Sequence, residues 1–177
     1  MAKVIGADDI VVNEAVRNRG AVIEQIPRSK PGSYFGFAGG GLGAGAGMAL
    51  GVKLAKRDRM VVHIAGDGVF YFGNPSSVFA VSKHYDLPFF TVVVDNSGWG
   101  AVKAAVLSVY PEGEAKALHQ FQAQLAPQME FAKIAEAAGA HGESVANPED
   151  VPAAIARCVA AVRGGRSALM HVRIPAI

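Results

Sequence analysis

An α/β fold, with helices on both faces of a mostly parallel sheet in three layers, is what the 177-residue sequence predicts. Three observations carry this. Short β-branched runs alternate with amphipathic stretches, and glycine-rich or polar turns follow the apolar runs. No repeat or low-complexity linker divides the chain, so residues 1–177 read as one domain, and 51% hydrophobic content is enough for a sizeable core.

Ile10 to Val12, Met60 to Ile64, Phe89 to Val94 and Leu169 to Ile174 suit buried strands. Between the second and third of these, Ser76 to Tyr85 reads as a crossover helix. The clearest helix opens at Asn147-Pro148-Glu149-Asp150: Asn147 caps, Pro148 suits the first turn, and the acids complement the helix dipole. Val151, Ile155, Cys158 and Val162 then recur at helical spacing until Gly164-Gly165 stops the helix. Cys158 on that face reads as core, because no basic neighbour favours a thiolate. His63, inside a strand, reads as a satisfied core histidine. Strands joined by helical crossovers pair in parallel, which places ligands at their carboxyl ends.

Composition excludes several classes. Lys plus Arg exceed Asp plus Glu by only 17 to 15, and the charges are scattered, so nucleic acid is not an expected partner. A single cysteine forms no internal disulfide and no metal cluster by itself, which fits a cytoplasmic home. The first residues resemble neither a secretory signal nor a transit peptide. Residues 32 to 52 carry no charge, but nine are glycine, so no membrane span is expected.

Two polar turns end two neighbouring strands. Ala65-Gly66-Asp67-Gly68 follows the second strand, and Asp95-Asn96-Ser97-Gly98 follows the third. Parallel pairing would let Asp67 and Asn96 face one site. A carboxylate, an amide oxygen and a loop carbonyl suit magnesium, which takes a few protein oxygens and leaves the rest to phosphates and water. The glycines flanking Asp67 leave backbone N–H groups open to phosphate oxygens. Further upstream, Gly39-Gly40-Gly41-Leu42-Gly43-Ala44-Gly45 opens a helical run through Met48, Leu50 and Leu54. Its expected use is close backbone approach to a flat or anionic ligand. The same residues satisfy a permissive dinucleotide fingerprint, so a nicotinamide-binding domain is a rival reading. A weak preceding strand at 35 to 38 and the lack of a second strand ending in an acid count against it.

In order, Asn13-Glu14, Pro31-Gly-Ser-Tyr34, Gly40-Gly41-Leu42-Gly43, Gly66-Asp67-Gly68, Leu87-Pro88 and Asn96 resemble the diphosphate-binding domain of thiamine diphosphate (ThDP) enzymes. The similarity is to the carboxyl-terminal third of benzoylformate decarboxylase and acetolactate synthase relatives, and it runs over nearly the whole chain. It implies that Asp67, the Asn96 side chain and the Gly98 carbonyl hold Mg2+. It also implies that Gly66, Gly68 and Val69 line the diphosphate and that Gly40, Gly41 and Leu42 meet the aminopyrimidine, with Leu42 as an apolar wedge. Trp99 joins the cofactor-binding set. Three departures stand out: a stretch two residues longer around Gly73-Asn74-Pro75, Asp95 in place of an Asn, and Ala15-Val16 in place of hydroxyl residues.

In the resembled enzymes a glutamate of a separate pyrimidine-binding domain activates the cofactor. No room for that domain is seen here, so the resemblance implies a split enzyme. Its activating glutamate would come from a partner chain, in a heterotetramer or larger assembly. This chain alone would be inactive, and no catalytic acid or base is assigned within it. The implied reaction makes or breaks a carbon–carbon bond next to a carbonyl of a small 2-oxo acid or 2-hydroxyacyl substrate. The alternative is a non-catalytic ThDP-binding or assembly module. Lys103, Tyr110 and His119, like Trp99, lie in the region that caps the cofactor in that family. Each reads more readily as surface or packing than as substrate contact.

Overall fold

The computed structural model describes residues 1–37, 41–125 and 129–176. Six strands form one sheet: β1 (Ile10–Glu14), β2 (Tyr34–Gly36), β3 (Val61–Gly66), β4 (Phe90–Asp95), β5 (His141–Val145) and β6 (Ala168–Arg173). Their order is β2-β1-β3-β4-β6-β5, and each pairing is parallel. The α/β class holds, and the sheet is more uniform than the sequence suggests. Parallel strands joined by helices are buried on both faces, which is why β1, β3 and β4 are rich in Val and Ile.

Alternation along a strand sends neighbours to opposite layers. In β1, Val11 packs with one cluster that includes Ile155, Cys158, Val159 and Val162 of α8 (Val151–Arg163). Ile10 and Val12 pack with the other. That second layer holds Ala49 of α2 (Gly45–Ala55), Phe70 of α3 (Asp67–Phe72), Phe79 of α4 (Pro75–His84) and Phe131 of α7 (Phe131–Ala137). The remaining helices are α1 (Arg19–Gln25), α5 (Gly100–Val109) and α6 (Glu114–Ala117). Asn147 caps as expected, accepting from the Glu149 N–H at 3.1 Å, but it opens a 3-10 turn at Pro148–Asp150 that leads into α8. Gly165, at φ +87, ends that helix region.

The weak strand expected at 35 to 38 appears as β2, whereas β5 and the helices α1, α3, α5, α6 and α7 escape the sequence pattern. β2 is three residues long, and β5, at the sheet edge, buries only Val145. Gly66-Asp67-Gly68 is no simple turn: β3 ends at Gly66 and α3 starts at Asp67. Among the described residues no helix is long and apolar enough to cross a membrane.

Candidate functional site

Pairing of β3 with β4 sets Gly66 opposite Val94, so the two polar segments emerge side by side. The Gly98 N–H donates to Asp67 Oδ2 at 2.6 Å. The end of the Asn96 amide lies 3.1 Å from Asp67 Oδ1 and 2.8 Å from the Gly98 carbonyl oxygen. With its NH2 group turned inward, Asn96 donates to both. With its oxygen turned inward, three oxygens face one another with no proton between them. Oxygen separations near 3 Å are those along the edge of an octahedron with magnesium–oxygen bonds of about 2.1 Å. A carboxylate, an amide and a carbonyl therefore fit a hard divalent cation in donor type and spacing. The described residues contain no cluster of three or more His, Cys, Asp or Glu suited to a metal. From the outer side, Trp99 N donates to Ala123 O at 2.7 Å and Leu125 N to Ser97 O at 3.0 Å, bracing the second turn.

Asp67 is 3% exposed, and burial pushes its carboxyl up to about 6, with the neighbouring Asp95 adding to the rise. Asp95 behaves oppositely. Burial alone would raise it, but hydrogen bonds from His171 and the Ser97 N–H outweigh that penalty and hold it below the usual range. The extra acid at position 95 is thus paired across the sheet, with His171 Nε2 2.7 Å from Asp95 Oδ2.

The second half of the glycine-rich turn, Gly43 to Gly45, is packed against the protein itself. Glu14, at the end of β1, has a side chain 0% exposed, and its carboxyl oxygens accept from the Gly43 N–H at 2.7 Å and the Gly45 N–H at 3.0 Å. The amino end of α2 is therefore filled by an internal acid. A Cβ at Gly45 would collide with Glu14 Oε2 and His63 Nε2, and one at Gly43, which sits at φ +92, would lie 2.6 Å from the Gly73 nitrogen. These glycines serve packing of the turn onto β1 and the end of α3. A dinucleotide phosphate would need the N–H groups that Glu14 occupies, which removes the basis of the nicotinamide reading. His63 is buried, but neither ring nitrogen has a hydrogen-bond partner, and Nε2 lies 3.5 Å from Glu14 Oε2, so it is not the satisfied histidine expected.

A cleft over these strand ends is lined by Gly66, Asp67, Gly68, Val69, Asn96, Gly98, Trp99 and Leu42, together with Ala15 to Asn18 and Gly100 to Val102. Of the predicted cofactor residues, all but two line it: Gly41 is exposed beside it in sequence, and Gly40 lies outside the described residues. Trp99 packs on Gly68 so closely that a Cβ there would meet the indole, and its buried Nε1–H has no partner. Sequence reasoning missed Arg17, which lines the cleft and donates to the Gly100 carbonyl at 3.1 Å. No signal in the β1 run pointed to it. Lys103 sits 5.0 Å over the Phe121 ring and borders a side recess that reaches Asn96 and Arg17. His119 lines a separate recess, and Tyr110 is 66% exposed, so neither faces the cleft.

Residues 18–172 match the family described as thiamine pyrophosphate enzyme, C-terminal TPP binding domain. Benzoylformate decarboxylase of Pseudomonas aeruginosa is 32% identical over 158 residues, covering 88% of this chain and 28% of that protein. Sulfoacetaldehyde acetyltransferase of Castellaniella defragrans is 30% identical over 161 residues, covering 90% of this chain and 25% of that protein. Among solved structures, the thiamine diphosphate-dependent 4-hydroxybenzoylformate decarboxylase of Rhodococcus jostii aligns with a TM-score of 0.82 at 28% identity. That match covers 98% of this chain and 31% of the other. The chain thus spans less than a third of the length of each of these relatives.

Proposed function

Because the chain belongs to the C-terminal TPP-binding domain family of thiamine pyrophosphate enzymes, we propose that its cleft holds Mg2+ and thiamine diphosphate for carbon–carbon chemistry next to a carbonyl. Asp67, the Asn96 amide oxygen and the Gly98 carbonyl are the cation ligands in this reading. It is carried by one observation, the approach of the Asp67 and Gly98 oxygens to within 3.1 and 2.8 Å of the Asn96 amide. The backbone N–H groups of Gly68 and Val69 and the unpartnered Trp99 Nε1–H would bind the diphosphate, with Arg17 adding charge. Gly41 and Leu42, with Gly40, would meet the pyrimidine side. When bound, the cofactor supplies the carbanion stabilisation that 2-oxo acid decarboxylation, carboligation or 2-hydroxyacyl cleavage requires.

What this chain contributes is binding and orientation. Asp67 is the only carboxylate among the described residues lining the cleft, so the acid that activates the pyrimidine comes from outside it. We assign that acid to a separate pyrimidine-binding subunit within a hetero-oligomer. The cleft is rimmed by exposed apolar side chains, Val16, Leu42 and Val102, with Phe72 beside Trp99, which suits a covering pyrimidine-binding domain. α5 buries only Gly100. Cytoplasmic location fits the same reading.

The test is a Mg-ThDP titration followed by the emission of Trp99, the single tryptophan. Asp67→Ala should lower affinity at least about 30-fold, roughly 2 kcal/mol, with little change in folding. Equal affinity in wild type and variant would defeat the cation assignment. Carbon dioxide release from a 2-oxo acid should need the copurifying subunit; turnover by this chain alone would defeat the split site, and cofactor binding without turnover in the complex would indicate a non-catalytic module.

A further inference from the structure

Asp95 is the second acid at these strand ends, and the cation reading gives it no role. Both of its oxygens are committed: Oδ2 accepts from His171 Nε2–H at 2.7 Å, and Oδ1 accepts from the Ser97 N–H at 2.8 Å. His171 comes from β6, is 0% exposed, and meets the Phe131 ring edge-on with centroids 4.8 Å apart. Its Nδ1 has no partner, so the bond to Asp95 is the one polar contact that orients the ring. Ser97 holds φ +61, a conformation that costs free energy for a residue with a Cβ and persists only when its surroundings enforce it. That residue turns the chain between the Asn96 side chain and the Gly98 carbonyl, the two groups that face Asp67.

From this chain of contacts we propose that His171 is a positioning residue for the cation turn. By orienting Asp95 it fixes the Ser97 N–H, and through Ser97 it sets the Asn96 and Gly98 oxygens while keeping the Asp95 carboxyl group off the cation. The role follows the general behaviour of partners one step removed from a metal, whose loss weakens affinity without removing a ligand. It rests on the cation reading above.

The full chain is tested with two probes: Mn2+ with inorganic pyrophosphate, read by electron paramagnetic resonance of the free ion, and hydrogen exchange at the Ser97 amide without metal. His171→Met fills similar space with no N–H donor, whereas His171→Gln keeps one. We expect His171→Met to lose about tenfold or more in Mn2+ affinity, with faster Ser97 exchange, and His171→Gln to retain most of both. If His171→Met does not fold, Asp95→Ala severs the same chain from its other side and should move the same two signals. Equal losses in the Met and Gln variants, or unchanged Ser97 exchange and Mn2+ affinity in the variant that cuts the chain, would overturn the proposal. Asp67→Ala separates the two ideas. Loss of Mn2+ there without loss in His171→Met removes only the role of His171, whereas wild-type affinity in Asp67→Ala removes the cation site itself.

Discussion

Replacing Glu14 with Ala leaves the Gly43 and Gly45 N–H groups without their acceptor. Gly45 is buried, so its orphaned donor bears the full penalty of about 1–3 kcal/mol, while Gly43 is partly exposed and water can replace most of its bond. The emptied space beneath the turn adds about 1–2 kcal/mol, because the surrounding glycine backbone relaxes only in part. Against this stands the relief of no longer burying a carboxyl group, worth about 1–2 kcal/mol here. The balance is a loss of about 2 kcal/mol, and Glu14→Gln, which keeps one acceptor, should lose roughly half as much. Urea unfolding of the metal-free chain measures both, with the m-value unchanged if the transition stays two-state. A loss below about 0.5 kcal/mol for Glu14→Ala would refute the argument that this acid clamps the glycine-rich turn.

The raised carboxyl of Asp67 predicts that Mg-ThDP affinity falls as pH drops through about 6, where a proton competes for the cation's ligand. Affinity that stays flat between pH 7.5 and 5 contradicts this. The same group binds its proton more tightly in the folded chain than in the unfolded one. It therefore favours folding at low pH, and that contribution is lost as pH rises from about 4 to about 6. Gly68→Ala drives a methyl group into the Trp99 indole. We expect a cost of about 1–3 kcal/mol, shifted Trp emission and weaker ThDP binding; native emission with native affinity would show that Trp99 does not rest on Gly68. Burial pushes the Cys158 thiol up to about 12, so it should resist thiol reagents in the native chain and react on unfolding. Rapid native labelling would contradict its place on the buried face of α8.

Central strands were legible because burial on both faces demands unbroken β-branched runs, as in Val61-Val62 and Val92-Val93. β5, His141-Gly-Glu-Ser-Val145, was not, since an edge strand with one buried residue leaves no apolar run to read. α3 was hidden by its own motif: Asp67 and Gly68 favour turns locally, and only the packing of Phe70 against Phe131 shows that they begin a helix. Asp67 and Asn96 could be brought together from sequence because both end strands joined by a helix. Glu14 with Gly45, and Asp95 with His171, could not be paired, because residues 31 and 76 positions apart meet only through the sheet order. For the same reason the room that Gly45 makes for the Glu14 side chain could not be read from the sequence.

Glu14 holds the glycine-rich turn from below and the Gly73 backbone abuts Gly43 from the side, so the Leu42 shoulder of the cleft is rigidly seated. On the opposite shoulder α5 buries only Gly100 and leaves Val102 and Val109 bare to solvent. In the proposed assembly, a subunit docked over Val102 would cover one wall of the cleft and make residence time there a function of assembly.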